Sequence, residues 1–91
     1  MDKERLSWAE NQAQYYKTLT SPRRVLILWA LAKRELSVGE IASEVGASMQ
    51  NTSQHLNILK KRGILDCRRE GQTIYYFIVD RKLLNNMGIL Q

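Results

Sequence analysis

Gln50, Asn51, Ser53 and Gln54 fall within one run of five residues, and Lys60, Lys61 and Arg62 close the same segment, SMQNTSQHLNILKKRG, residues 48 to 63. Amide side chains both donate and accept hydrogen bonds, and hydroxyls do the same. A Gln or Asn can form a paired contact with the major-groove edge of adenine, and a Ser can serve either base of a pair. Such a strip reads base edges without the undirected attraction of a lysine. On a helix turning about 100° per residue, Met49, Thr52, Leu56 and Leu59 cluster on one side. Gln50, Gln54, Asn57 and Lys61 fall opposite, flanked by Asn51 and Ser53. The first side anchors the helix and the second is free. Ser48 stands at the helix start, where unpaired N–H groups and a partial positive charge suit a phosphate. An ordinary solvated helix face accounts for the same residues taken alone, so the neighbouring elements have to decide.

Other chemistries find fewer residues. A metal centre needs three or four ligands, and the chain has one Cys and one His, Cys67 and His55, in different segments. The expectation is no metal and no cofactor. Ser53 and His55 are two apart, so on a helix they diverge and cannot form a nucleophile–base pair. There is no glycine-rich phosphate loop, no pair of carboxylates in a pocket and no nucleophile elbow, and an enzyme is not expected. His55 reads as a hydrogen-bonded structural histidine or a phosphate contact at the edge of the core. Cys67 alternates with Leu65 and reads as a half-buried thiol. Its alternative is a redox-sensing thiol activated by Arg68 and Arg69, without a resolving partner in the chain.

The elements that must hold the amide strip are written in local signals. Residues 3 to about 18 carry Leu6, Ala9, Ala13 and Tyr16 at helical spacing, widened by Trp8, Tyr15 and Leu19. Ser21-Pro22 reads as an N-cap followed by proline at the first helical position. The helix it opens contains VLILWALA, apolar nearly all round, and belongs at the centre of the domain. Ser37 and Glu40 fit a capping box. Ile41, Ala42 and Val45 point that short helix inward, and Gly46 ends it in a left-handed cap. Two helices joined by a short Gly-containing turn make a helix-turn-helix. After Gly63, residues 64 to 69 and 73 to 79 read as strands around a turn at Glu70-Gly71-Gln72. Asp80 is a candidate N-cap for a last helix, RKLLNNM. The expected fold is mainly α with a small β-hairpin, a winged helix-turn-helix in the order α-α-α-α-β-β-α.

Ninety-one residues suffice for one core and one domain, 1–91. The expected divisions are a helix-turn-helix at 37–62, a wing at 64–79 and dimerisation helices at 1–19 and 80–91. The formal charge of +5, from 14 Lys and Arg against 9 Asp and Glu, leans towards a polyanionic partner. Arg68, Arg69 and Gln72 frame the hairpin tip, where arginine can follow the backbone or enter a narrow minor groove. Charges that merely protect an edge strand would look the same. Lys60, Lys61 and Arg62 also suit the last turn of any helix. The longest apolar run, Val25 to Ala32, is far short of the roughly 20 residues of a bilayer span. The charged start, MDKERLSWAE, does not read as a secretory signal, and a cytoplasmic place is expected.

The stretch ELSVGEIASEVGASMQNTSQHLNILKKRGILDCRREGQTIYYFI, with LTSPRRVLILWAL before it, resembles the ArsR-type (arsenic-repressor-like) winged-helix transcription regulators. Residues 19 to 78 carry the likeness, through Pro22, Arg24, Ile27, Leu28, the Ser-x-His-Leu of Ser53 to Leu56, Gly63 and the Arg-Glu-Gly wing before Tyr75-Tyr76. The resemblance implies a repressor that binds an imperfectly palindromic operator as a symmetric dimer and is released by a ligand. It implies recognition residues Ser48, Met49, Gln50, Asn51, Ser53 and Gln54, with His55 beside them and Arg68, Arg69 and Gln72 on the wing. Metal sensors of the family carry Cys-x-Cys where this chain has Ser37 and Gly39, or Asp and His on a last helix that here has Asp80 and no His. Metal sensing is therefore not expected, and the effector is unassigned. Leu6, Trp8, Ala9, Ala13, Tyr16, Leu83, Leu84 and Met87, continued by Ile89 and Leu90, are the expected apolar dimer interface. A winged-helix module for protein or RNA, and a redox-responsive regulator acting through Cys67, are the alternatives.

Overall fold

A computed structural model describes residues 2–89. Helix α1 (Lys3–Lys17) runs through a 3-10 turn (Thr18–Thr20) into α2 (Pro22–Leu31). Strand β1 (Leu36–Ser37), helices α3 (Val38–Val45) and α4 (Met49–Lys61), strands β2 (Leu65–Glu70) and β3 (Thr73–Ile78) and helix α5 (Arg81–Asn86) follow. The three strands form one antiparallel sheet in the order β1-β3-β2. This is a winged helix-turn-helix.

The local signals are realised by side-chain chemistry. Ser21 caps α2 by accepting from the Arg24 N–H, with Pro22 at the first helical position. The capping box of α3 is complete: Ser37 Oγ accepts from the Glu40 N–H at 3.2 Å, and the Ser37 N–H donates to Glu40 Oε1 at 2.9 Å. That second bond holds the Glu40 carboxyl below its ordinary pKa. Gly46 takes φ 66°, the left-handed region that a side chain disfavours, and the chain needs only Ala47 before Ser48 caps α4. The hairpin turns on Gly71 and Gln72 between the paired Glu70 and Thr73, with Gly71 at φ 63°.

The core gathers Ile27, Leu28 and Leu31 of α2, Leu36 of β1, Ile41 of α3, Leu56 and Leu59 of α4, Ile64, and Leu65, Tyr76 and Ile78 of the sheet. Three placements differ from the sequence reading. First, α2 is not enclosed: Leu26 and Trp29 are 48% and 69% exposed. A helix apolar on every side gives periodicity nothing by which to orient it. Second, Leu36-Ser37 forms a third strand on the open edge of β3, too short for any pattern to mark.

Third, Leu83 and Leu84 are 4% and 0% exposed and belong to this protomer's own core, with Met87 and Ile89 packed against it. They were expected at a dimer interface. Asp80 causes the difference. One carboxylate oxygen caps α5 by accepting from the Leu83 N–H, and the other accepts from the Tyr15 hydroxyl. Arg81 donates to the carbonyl of Ala32 at the end of α2. Pinned at its first turn, the short helix lays its leucines inward. Burial and the Asp80 charge push the Tyr15 phenol well above its ordinary pKa. Leu90 lies outside the described residues.

Helix α1 is the counterpart. Its final turn is docked through Tyr15, and Thr18 beyond it is buried, yet none of its 15 residues is buried. Leu6, Trp8 and Tyr16 are 48%, 64% and 57% exposed, and Ala9 and Ala13 are exposed with them.

Candidate nucleic-acid interface

Helix α4 is held from below. Thr52, Leu56 and Leu59 are fully buried, whereas Gln50, Asn51, Gln54, Asn57 and Lys61 are exposed and Ser53 is half-buried. The uncharged strip from Gln50 to Asn57 therefore faces outward as one surface, with Lys61 at its C-terminal end. Met49 departs from its assignment to the inner side: it is 58% exposed. It lies on the flank towards the wing, where a groove of about 290 Å³ runs between Met49, the start of α3 and Gln72, Thr73 and Ile74. That position suits the recognition role assigned to Met49 better than the anchoring one. At the start of α4, Ser48 Oγ accepts from the Asn51 N–H at 3.0 Å.

The wing arginines separate, because successive strand residues alternate faces. Arg69 aligns with Ile74, on the face that carries Leu65, Tyr76 and Ile78 into the core. It is exposed at the hairpin tip with no carboxylate within 4 Å among the described residues. Arg68 aligns with Tyr75 on the other face. It is bound to Glu35 at 2.6 Å and Glu70 at 2.8 Å, and lies 4.7 Å from the centre of the Tyr75 ring. Glu70 and then Glu35 hold its charge up. Arg68 thus ties the wing to the β1 edge, and the adjacency of the two arginines in sequence does not make them a pair in space. The neighbouring Cys67 side chain raises the Lys60 pKa. Cys67 itself is half-buried on the core side of β2.

Two arginines that the sequence reading left without a role position the whole unit. Arg23 donates to the carbonyl of Val45 at the end of α3, beside Gly46. Arg24 donates through Nε to the carbonyl of Thr18 at 2.5 Å and through Nη1 to His55 Nδ1 at 3.2 Å. A guanidinium has no acceptor, so Nδ1 is the unprotonated nitrogen and His55 is the neutral Nε2–H tautomer. Burial, then Arg24 and Arg23, lower the His55 pKa. The only local signal was Arg-Arg after Pro22; Val45 and His55 lie 22 and 31 residues away, while the Thr18 carbonyl is six residues from Arg24.

A pH dependence follows. The unfolded chain takes up the His55 proton near the ordinary value of about 6.5, and the folded chain only at lower pH. The unfolded state then binds more protons, so stability is complete above about pH 6.5 and declines as pH falls through the window below it. Thermal melting from pH 7.5 to 5.5 should show a falling Tm that flattens in His55→Gln. An unchanged slope in that variant would remove His55 as the cause, since it is the chain's one histidine.

Among the described residues, no group of three or more His, Cys, Asp and Glu could hold a metal ion. Ser37 is engaged in capping and Gly39 has no side chain, so neither offers a ligand at that place. No helix among the described residues is long and apolar enough to cross a membrane.

An anchored, amide-faced second helix in a helix-turn-helix, flanked by a hairpin whose Arg69 has no carboxylate within 4 Å among the described residues, defines the winged helix-turn-helix class of regulatory protein. The pattern of the bacterial regulatory proteins of the arsR family matches residues 21–66, and the chain belongs to that family. It is 39% identical over 82 residues to the nodulation protein NolR of Rhizobium meliloti, covering 90% of this chain and 67% of that one. The crystal structure of NolR from Sinorhizobium fredii superposes with a TM-score of 0.88 at 35% identity, over 97% of this chain and 88% of that one. A homodimeric winged helix-turn-helix DNA-binding domain from Mycobacterium bovis gives 0.85 at 29% identity, over 98% and 82%. The chain spans about two thirds of the length of the curated relatives it matches.

Proposed function

We propose that this protein is a cytoplasmic transcription regulator that binds double-stranded DNA sequence-specifically as a homodimer and represses by occupying a palindromic operator, without a metal as its signal. One observation carries the reading: from Gln50 to Asn57 the outward face of α4 is uncharged and hydrogen-bonding while Thr52, Leu56 and Leu59 anchor its underside, which presents those side chains as a unit to a major groove. Gln50, Asn51, Ser53 and Gln54 read base edges. Ser48 and the first turn of α4 hold a phosphate, Arg69 and Gln72 follow the backbone from the wing, and Met49 fills the groove between them. His55 acts through Arg24 by fixing the roll of α4. Arg68 serves the wing's shape more than its charge. Two copies carry twice +5, or +10, and a two-fold axis sets their reading helices about 34 Å apart.

Selection of bound duplexes from random DNA tests this. Half-sites related by two-fold symmetry and one helical turn apart are expected. Gln54→Ala should relax preference at one position of each half-site, where a paired contact contributes about 1–3 kcal/mol of discrimination. Arg69→Ala should weaken operator and random DNA alike and lower the salt slope by about one unit per lost phosphate contact. Identical behaviour of the two variants would refute the division between reading and anchoring. Preference for single-stranded RNA, or no salt-dependent binding of any duplex, would favour the RNA or protein module.

A further inference from the structure

On the flank of α4 away from the wing, the end of α1, the 3-10 turn, α2 and the last turns of α4 border a shallow, open cleft of about 170 Å³. Gln14, Lys17, Thr18, Arg24, Ile58 and Arg62 line it. Three of the six are cations and none is an acid. Among the described residues no carboxylate lies within 4 Å of any of these cations; the ion pairs are formed by Arg5, Arg34 and Arg68 instead. The guanidiniums are held by neutral acceptors: Arg24 by the Thr18 carbonyl and His55, and Arg62 by Gln14 Oε1 at a long 3.4 Å. Each guanidinium has five donors, so several remain unspent, together with the Lys17 ammonium. The cleft is thus rich in donors and poor in acceptors. The same field is felt next door, where Arg24 and Arg23 add to burial in keeping a proton off His55.

We propose that this cleft is a binding site for a small free oxyanion of the phosphate class. Such an ion presents several acceptor oxygens to donors converging from three elements, and charge-assisted bonds of this kind are short and strong. Size sets the class. The cleft has the volume of about five or six waters and falls below the roughly 300 Å³ at which pockets for drug-sized ligands begin. It lies at the C-terminal end of the reading helix: Ile58 is one turn beyond Gln54, and Arg62 is twelve residues beyond Gln50, roughly 18 Å along the axis. The exposed side of α1, with Ala9, Ala13 and Tyr16, turns away from Gln14 and Thr18, which face the cleft. The ion joins α1 to α4, the helix with the exposed apolar face to the helix with the amide strip. This inference stands on the cleft alone and does not require DNA binding.

The test uses the full chain and inorganic phosphate at constant ionic strength, followed by backbone amide shifts. Saturable shifts confined to residues 14–24 and 58–62 are expected. The double variant Lys17→Gln/Arg62→Gln should weaken binding at least tenfold with circular dichroism unchanged, while Lys82→Gln, on the exposed side of α5, should leave it unaltered. Shifts that never saturate, that spread over all basic residues, or that survive in the double variant would overturn the proposal. A parallel titration with duplex DNA distinguishes the other source of phosphate. If the double variant loses DNA salt slope while the free protein shows no phosphate saturation, the cleft holds a backbone phosphate and the free-ion site is refuted.

Discussion

Replacing Leu6 and Ala13 together by Asp is expected to give a folded monomer that has lost at least a hundredfold of its affinity for a palindromic operator. The reason lies in α1. An isolated helix of about 15 residues is marginal in water, and this one is docked only through its last turn. Its apolar residues point outward, with Trp8 64% exposed. Large aromatic and aliphatic side chains lose about 25 cal/mol per Å² of free energy on leaving water, and a second copy of the same helix is the complementary surface that a two-fold axis supplies. Two carboxylates per protomer placed in that interface would have to be buried unpaired, which is far more costly than the apolar area is favourable. Loss of the second reading helix then removes the gain from effective concentration, on the order of 10² to 10⁴. Sedimentation equilibrium reads the mass and fluorescence anisotropy reads the operator. A wild-type chain monomeric at micromolar concentration would refute the homodimer, and a variant still dimeric would move the interface elsewhere, for which the exposed Leu26 and Trp29 are the other apolar surface.

What was legible in the residues and what was not divides by range. Ser21, Ser37, Gly46, Ser48 and Asp80 announce their helix ends because a cap is an interaction over three or four residues. The amide strip was legible because α4 has one clear apolar side. Met49 was misplaced because it lies at the margin of that side, near a helix start where no element covers it. The separation of Arg68 from Arg69 follows from the two-residue period of a strand and could have been drawn from the sequence. The clamps of Arg23 onto Val45 and of Arg24 onto His55 could not, since those partners are 22 and 31 residues distant and are backbone or ring atoms without a sequence signal. The phosphate-class cleft was hidden for the same reason: Lys17, Arg24 and Arg62 belong to three helices or their ends and meet only in the fold.

The inward turn of α5 supplies the second large effect. Leu84 is fully buried, and its carbonyl accepts from the Ile89 N–H at 3.0 Å, closing the chain over it. Leu84→Ala should therefore destabilise the protomer itself by about 2–5 kcal/mol, the lost transfer energy plus the cavity left behind. That is a large share of the roughly 5–10 kcal/mol that a domain of this size commonly has. Leu84→Met, which nearly conserves volume, should cost less than about 1.5 kcal/mol. The measurement belongs in the Leu6→Asp/Ala13→Asp background, where unfolding is unimolecular and association cannot compensate. There, urea midpoints should be independent of protein concentration and should drop sharply for Ala but little for Met. If Leu84→Ala instead left the monomer's midpoint in place and weakened only the dimer of the parent chain, α5 would have to present its leucines to the partner. The Tyr15–Asp80–Leu83 connection would then have to open on association, because the carboxylate that caps α5 is the one that holds α1 against it.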